Sequence, residues 1–387
     1  MSLERVYLDY NATAPLNPAA RTAMIAAMDL PGNASSVHAE GRAARRVIED
    51  ARVLVAGLLG LPSRQLTFVS GGTEAANLLL TPKLSDGGAP LSRLFVAAGE
   101  HACVLQGHRF AADRVSIVPL NAAGSLDLTA LAAMLKDAAG ERVLLALQAV
   151  NNETGVIQPV AEAAGLVHAA GGLVVCDGVQ GAGRLELSIL GADALFISSH
   201  KIGGPKGVGA FAFADPRLHI ADPLLRGGGQ ERGLRAGTEN IAAIAGFGVA
   251  AQLAAETWRD EMARLGPLRD GLEDKVSRLF PDAVFFGRQA PRVAQTSAFA
   301  VPGIAAETLL IALDLEGCAL SSGSACSSGK VQPSHVLRAM GIEAALAKGA
   351  LRVSLGASSD MTHVEAFCRA LDKAIRNMRS RSVRTAA

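Results

Sequence analysis

The sequence predicts an α/β fold built on a mostly parallel sheet. Three observations carry that prediction. Apolar runs of strand length recur between stretches of helix length. Several of these runs are apolar without alternation, as in strands covered on both faces. Most of them end in a cluster of small and polar residues, and in open α/β sheets ligands bind beyond the carboxyl ends of the strands.

Taken in order, residues 6–10 read as a short strand that turns away at Asn11 to Pro15. Asn17 caps a helix with Pro18 at its first position. Residues 32–38 are small and polar and lead into a long helix from about Ala39. Asn33, Ser35, Ser36 and His38 there either line a site or form a turn and cap, and the local pattern favours the cap. Residues 65–69 form a strand. Ser70-Gly-Gly-Thr-Glu74 then opens a helix, either as a phosphate cradle or as an ordinary cap with Glu74 in the first turn. Residues 93–98, 143–149, 173–176, 194–199 and 208–214 are further strands, with helices over 126–138 and 160–170. The glycine-rich stretch from Arg226 to Asn240 leads into a helix running to about Ser277. In the last third, strands at 283–286, 296–301, 319–320 and 351–354 mix with helices at 307–315, 334–340 and 361–378. These residues read as a smaller α+β domain. The expected division is a large domain at 1–260, whose first 15 or so residues pack with the small one, and a small domain at 261–387.

The chain has 387 residues, half of them apolar and only 4% aromatic, with 37 basic against 36 acidic side chains. That balance points to neither a nucleic-acid nor an acidic-membrane partner. The N-terminus has no apolar signal core, and no apolar run is read as long enough to span a membrane. Cys103, Cys176, Cys318, Cys326 and Cys368 are odd in number and widely spaced, with no C-x-x-C pair. A disulfide framework and a cysteine-rich zinc site are not expected, and a cytoplasmic location is.

Candidate chemistry centres on Lys201. It lies between two apolar strands, after Ser198, Ser199 and His200 and before a glycine-rich turn. A lysine there is rare unless it is paired or used covalently, which makes a Schiff-base lysine the sharp reading and a hairpin-turn surface lysine the bland one. Thr73, His101, Asn152, Asp177, Gln180 and His200 fall at strand ends with it. Pyridoxal phosphate accounts for them together: Asp177 for the ring nitrogen, His101 for the ring face and proton movement, and Gln180 for the ring hydroxyl. Thr73, Ser198 and His200 suit its phosphate, and Arg352 suits a substrate carboxylate. Singly, Asp177 also reads as a helix cap, His101 as a core histidine and Arg352 as a surface charge. Leu320 to Lys330 fails as a P-loop, because five residues separate Gly323 from Gly329 and Val331 stands where Ser or Thr is needed. What remains is Cys326 in a small, polar segment, either a reactive thiol or part of an ordinary loop.

Tyr7-Leu-Asp-Tyr-Asn-Ala-Thr13, Gly32-Asn-Ala-Ser-Ser-Val-His38, Ser70-Gly-Gly-Thr-Glu74, Glu100-His101 and Val150-Asn-Asn-Glu-Thr-Gly155 occur in this order. Asp177-Gly-Val-Gln180, Ser199-His-Lys-Ile-Gly-Gly-Pro-Lys-Gly207, Arg235-Ala-Gly-Thr238 and Ser321-Ser-Gly-Ser-Ala-Cys326 follow them. With these pieces the chain resembles the cysteine desulfurases of the NifS/IscS type, in the class V aminotransferase family. The resemblance implies a fold type I pyridoxal-phosphate enzyme with a seven-stranded sheet in its large domain, and a homodimer. It implies cofactor contacts from Gly72, Thr73, His101, Asn152, Asp177, Gln180, Ser198, His200 and Lys201, with Thr238 reaching the neighbouring subunit's cofactor. Asn11, Asn33, Asn152 and Arg352 are implied around the substrate, and Lys201, His101 and Cys326 as the catalytic set.

The implied reaction moves sulfur from L-cysteine to Cys326 as a persulfide, releases L-alanine and hands the sulfur to an acceptor such as an iron–sulfur scaffold. No resident metal is expected, and Cys326 would meet an iron–sulfur cluster only during transfer. Selenocysteine lyase and a class V aminotransferase are the alternatives on the same fold. The chain ends sooner than housekeeping relatives, whose C-terminal extension docks the scaffold, so docking by that route is not expected. Ala102 and Gly203 differ from the housekeeping type and favour a NifS-like or specialised member.

Overall fold

The computed structural model describes residues 5–323 and 334–385. Seven strands form the central sheet in the spatial order Leu66–Val69, Gly209–Phe213, Ala194–Ser198, Leu173–Asp177, Val143–Gln148, Arg93–Ala97 and Val115–Val118. All pairings are parallel except those of Gly209–Phe213, which runs antiparallel to both neighbours. The strand reached directly through the Lys201 turn is thus the reversed one, as a short connection requires. The strand Val115–Val118 was not expected. It is an edge strand whose first three residues are only partly covered, so its sequence lacks the continuous apolar run that marked the interior strands.

Local signals set the helix ends. Asn17 Oδ1 accepts the Ala19 amide and Pro18 is the first helical residue of Pro18–Met28. His38 Nδ1 accepts the Gly41 amide at the start of Ala39–Leu59. Gly60 ends that helix at φ 66°, a conformation glycine adopts without penalty. These helices pack against the helix Ile241–Leu279.

That long helix passes from one core to another. Ala243, Ile244, Phe247 and Ala251 lie in the core beside the seven-stranded sheet. Leu265, Leu272 and Val276 lie in a second core with Phe299, Leu313, Phe367 and Leu371, which also takes in Val6 and Leu8. By length and composition alone the helix is apolar enough to cross a membrane. This corrects the reading that no run reaches that length, although many of its apolar residues are committed to the two cores.

The second core lies against an antiparallel four-stranded sheet in the order Val284–Phe285, Thr296–Ala300, Leu351–Ser354 and Ser321–Ser322. The helices Ala306–Leu315 and Met361–Thr385 contribute buried residues to that core. Val6–Tyr7 pairs in parallel with Cys318–Ala319, and Asp9 bridges to Ser354. The N-terminal segment is thereby stitched to this half, and Asn11 and Ala12 are carried to the seven-stranded sheet.

Close backbone approach behind the site depends on Gly209. A Cβ there would lie 2.7 Å from the Ile197 carbonyl oxygen and 2.8 Å from Gly71 Cα. Neither backbone can yield without moving a strand or the turn before the helix Gly72–Leu79. We expect Gly209→Ala to lower unfolding stability by about 1–3 kcal/mol, the usual cost of overpacking. Urea unfolding of parent and variant checks this.

Candidate active site

The strand ends converge because of register. In the parallel ladder Gln148 is level with Asp177, and Asp177 with Phe196, while Ser198 faces Gly209 across the antiparallel pair. A cavity of about 270 Å³ opens over these ends. Of the residues read from the sequence, Asn11, Gly72, Thr73, His101, Asn152, Asp177, Gln180, Ser198, His200, Lys201 and Arg352 line it. Asn33 and Thr238 are exposed and lie outside it. Asn33 Oδ1 accepts the Ser35 amide in a local turn. Cys326 lies outside the described residues.

Lys201 sits in the short 3₁₀ turn Ser199–Lys201 that follows Ala194–Ser198. Its Nζ donates to the carbonyls of Asn11 and Ala12 at 2.6 and 2.8 Å. Gln180 Nε2 donates to the same Asn11 carbonyl at 2.9 Å. Gln180 Oε1 in turn accepts from the buried Arg184, whose other amino group donates to the Lys201 carbonyl at 3.4 Å. Burial lowers the Arg184 pKa to about 10, yet at neutral pH the guanidinium remains charged.

Asp177 ends its strand buried, and its Oδ1 accepts the Val179 amide at 2.8 Å. Burial raises its pKa to about 6; the Val179 amide and then Lys201 pull the other way. Beneath it Glu100 is fully buried. Glu100 Oε1 accepts the Gln148 amide at 2.7 Å, and Oε2 has no partner. Desolvation, and next the Asp177 charge, push its pKa well above the usual carboxylate range.

His101 caps the short helix Ala102–Leu105 by accepting the Cys103 amide on Nδ1 at 3.1 Å. The proton of its neutral ring therefore belongs on Nε2. Burial lowers its pKa, assisted by Lys201 and His335. His335 ties the helix His335–Ala339 to this corner through Nε2 and the Glu100 carbonyl, 2.8 Å apart. His200 is lowered to about 4 by burial, then by Lys201 and Lys206, and its Nδ1 lies 3.2 Å from Thr13 Oγ1.

Arg352 is buried on the strand Leu351–Ser354. It donates to the Asn152 carbonyl at 3.0 Å and to Asp9 Oδ1 at 2.8 Å, while its Nε is buried without a partner. Asp9 Oδ2 accepts from Ser321 Oγ at 2.8 Å. Asp9 is one residue that sequence reasoning missed, together with Arg184, Cys103, Glu153 and His335. The usable signal was a carboxylate embedded among apolar and aromatic residues, Asp9 in Val6 to Tyr10; Glu153, among Asn151, Asn152, Thr154 and Gly155, carried no such signal.

These residues fit pyridoxal phosphate. An anion suits the start of the helix Gly72–Leu79, where Gly71 and Gly72 bring backbone close to the cavity beside Ser198 and His200. A buried acid at Asp177 suits a ring nitrogen, and a lysine amine stands at the same cavity. The orphaned Arg352 Nε and Asn11 Oδ1 are buried polar atoms that a bound polar group would satisfy.

The family model for class-V aminotransferases matches residues 6–367. The chain is 38% identical over 383 residues to an IscS-like cysteine desulfurase of Mycobacterium tuberculosis, with 96% of this chain and 97% of that protein covered. It is 40% identical over 380 residues to a cysteine desulfurase of Rhodobacter capsulatus, with 94% of each covered. Among solved structures, a NifS-like protein from Rickettsia africae superposes with a TM-score of 0.86 at 32% identity, covering 96% of this chain and all of that one.

The raised Asp177 pKa has a consequence for the ligand-free protein. The folded value of about 6 exceeds the ordinary 3.8. The stabilising contribution is complete below the ordinary value and is lost as pH rises through the folded one, where an ionised carboxylate must be buried. Asp177→Asn should therefore raise the melting temperature relative to the parent at pH 7 and leave it nearly unchanged at pH 4. Thermal unfolding of both proteins at the two pH values checks this.

Proposed function

The chain belongs to the class-V aminotransferase family and, within it, to the cysteine desulfurases, and from that premise we propose how its own residues remove sulfur from L-cysteine. The observation that carries the assignment of residues is the meeting of Lys201, Asp177, His101 and Arg352 around one cavity at the strand ends. The enzyme uses pyridoxal 5′-phosphate, which when bound supplies an electron sink for the substrate amine carbon.

The backbone of Gly72, with Thr73, Ser198 and His200, holds the phosphate. The Asp177 carboxyl keeps a proton at the ring nitrogen, and a cation there favours the ionised Asp177 that burial alone disfavours. Gln180 already spends one Nε2 proton on Asn11 and has the other for the ring hydroxyl. Lys201 would hold the cofactor through its amine and, with that amine free, would move a proton at the substrate Cα. His101 covers the ring and donates from Nε2. Arg352 receives the substrate carboxylate with Asn152 and Asn11, which line the same cavity; Asn33 lies outside it. Asp9 stops the guanidinium from swinging and leaves its unpartnered Nε for that carboxylate.

Cys326 takes the sulfur. As thiolate it attacks the substrate sulfur: the S–S bond forms as the C–S bond breaks, the electron pair stays with the substrate carbon, which takes a proton to give L-alanine, and the persulfide remains on Cys326 for an acceptor. A free thiol pKa of about 8.5 leaves only a small thiolate fraction at neutral pH, so the site must assist ionisation. Among the described cysteines Cys176, Cys318 and Cys368 are buried, and burial raises the pKa of all three and of the partly buried Cys103. None is a ready nucleophile. An iron–sulfur scaffold is the acceptor we favour, on the naming of the IscS-like relatives.

We also propose a cytoplasmic homodimer. Thr238 is exposed in the single chain, with Leu224, Leu225 and the 88%-exposed Val37 among its exposed apolar residues. A second copy would cover such a surface and bring Thr238 to its neighbour's cofactor. The uncrosslinked cysteines suit a reducing compartment.

The test is incubation with L-cysteine, following alanine and the Cys326 persulfide by mass spectrometry. Cys326→Ser should abolish persulfide and sulfide while the cofactor spectrum persists; undiminished sulfide release would sink the assignment. Lys201→Ala should lose the lysine-bound cofactor absorbance and turnover together. Arg352→Lys, which replaces a fork by a point charge, should raise KM for L-cysteine about tenfold with a smaller effect on kcat.

A further inference from the structure

We propose that Glu153 is a positioning residue for sulfur transfer, holding together the two ends of the segment that carries Cys326. The inference rests on Cys326 being the sulfur carrier. Two observations lead to it. Ser334, where the described chain resumes after residue 333, donates its hydroxyl to Glu153 Oε2 at 2.5 Å. Gly323, the last described residue before the segment, packs on the same oxygen: a Cβ on it would lie 2.7 Å from Glu153 Oε2 and 3.6 Å from Ser334 Cβ. One buried carboxylate oxygen therefore meets both ends of the segment.

The direction of the hydrogen bond is settled by its neighbours. Ser334 Oγ accepts the Leu337 amide at 3.0 Å as the cap of His335–Ala339 and donates its single proton to Glu153. That cap is complete without a carboxylate beneath it. Glu153 is only 4% exposed, and burial pushes its pKa up to about 7, opposed by the Ser334 bond and then by Arg352. An apolar residue would fill the place at lower cost, so helix capping alone does not account for it.

What the carboxylate adds is a link to the substrate side. Glu153 follows Asn152, whose carbonyl accepts from Arg352 and from Asn11. Its own amide and that of Thr154 donate to Asn151 Oδ1, and Asn151 Nδ2 donates to the Gly99 carbonyl beside Glu100 and His101. The ends of the Cys326 segment are thus registered to the residues that would hold the substrate carboxylate and the ring. Pinning the ends of a segment narrows where its thiol can go, and misplacing a reacting group by about 1 Å can cost on the order of a hundredfold in rate.

A Gly323→Ala change would drive a methyl into the carboxylate. Glu153→Ala removes the acceptor, and Ser334→Ala removes only the hydroxyl, so Ser334→Ala carries the test if Glu153→Ala does not fold. The holoenzymes are compared by cofactor absorbance, by its change on adding L-cysteine, and by single-turnover formation of the Cys326 persulfide. Expected for Glu153→Ala and Ser334→Ala is an unchanged cofactor spectrum and L-cysteine response, with persulfide formation slowed about ten- to a hundredfold and the loss in kcat rather than KM. Glu153→Gln, which keeps an oxygen acceptor for Ser334, should recover most of the rate. Persulfide formation within about twofold of the parent in Glu153→Ala and Ser334→Ala overturns the proposal, as does a Glu153→Gln variant no better than Glu153→Ala. Cys326→Ser run alongside separates the two readings. Undiminished sulfide release from it removes the Cys326 assignment itself, whereas its inactivity beside a normal Ser334→Ala removes only the role of Glu153.

Discussion

The parallel ladder running from Val143–Gln148 through Leu173–Asp177 to Ala194–Ser198 is the constraint on which the site depends. Its register levels Gln148 with Asp177 and sends the chain into the Lys201 turn one strand further on. A shift of one residue in any of these strands would turn Asp177 or Ser198 to the opposite face. The register is strongly specified because these strands are buried along their whole length. A packed sheet interior, with no role in chemistry, is what places the ionisable groups.

The same burial sets the electrostatics. Water is excluded from Asp177, Glu100, Glu153 and Arg184, and each is pushed toward its neutral form. Their protein partners soften that penalty unequally. Asp177 has one amide and Lys201, Glu153 has one hydroxyl and the Arg352 field, and Glu100 has one amide and an orphaned oxygen. Of these three acids only Asp177 lines the cavity, and a protonated ring nitrogen beside it would offset the cost of its burial. Arg352 is the opposite case: Asp9 and the Asn152 carbonyl each take one N–H of its two amino groups, and Nε has no partner.

Most elements were legible from apolar periodicity and punctuation. Asn17, Pro18 and His38 act where the sequence indicates, because caps and turns are decided by residues a few positions apart. The strand Val115–Val118 was missed because an edge position asks for less apolar character. Membrane-spanning length was misjudged in Ile241–Leu279, whose apolar residues serve two cores in succession rather than one continuous face. Eleven of the expected site residues meet at one cavity; nine follow or end strands of the seven-stranded sheet, which share one edge, while Asn11 and Arg352 are brought there by the N-terminal segment and the four-stranded sheet.

From sequence alone came the candidates for the reactive groups. An amine between apolar runs, a strand-end acid and a cysteine among small polar residues stand out by type and near neighbours, and the order of the motifs that hold them gave the expected chemistry. Tertiary structure alone decided which charges are paired and which protons are held. Asp9 meets Arg352 across 343 positions and Ser334 meets Glu153 across 181. Pairings so distant leave no local trace. Desolvation, which raises Asp177, Glu100 and Glu153 together, belongs to the packed interior and not to any stretch of chain.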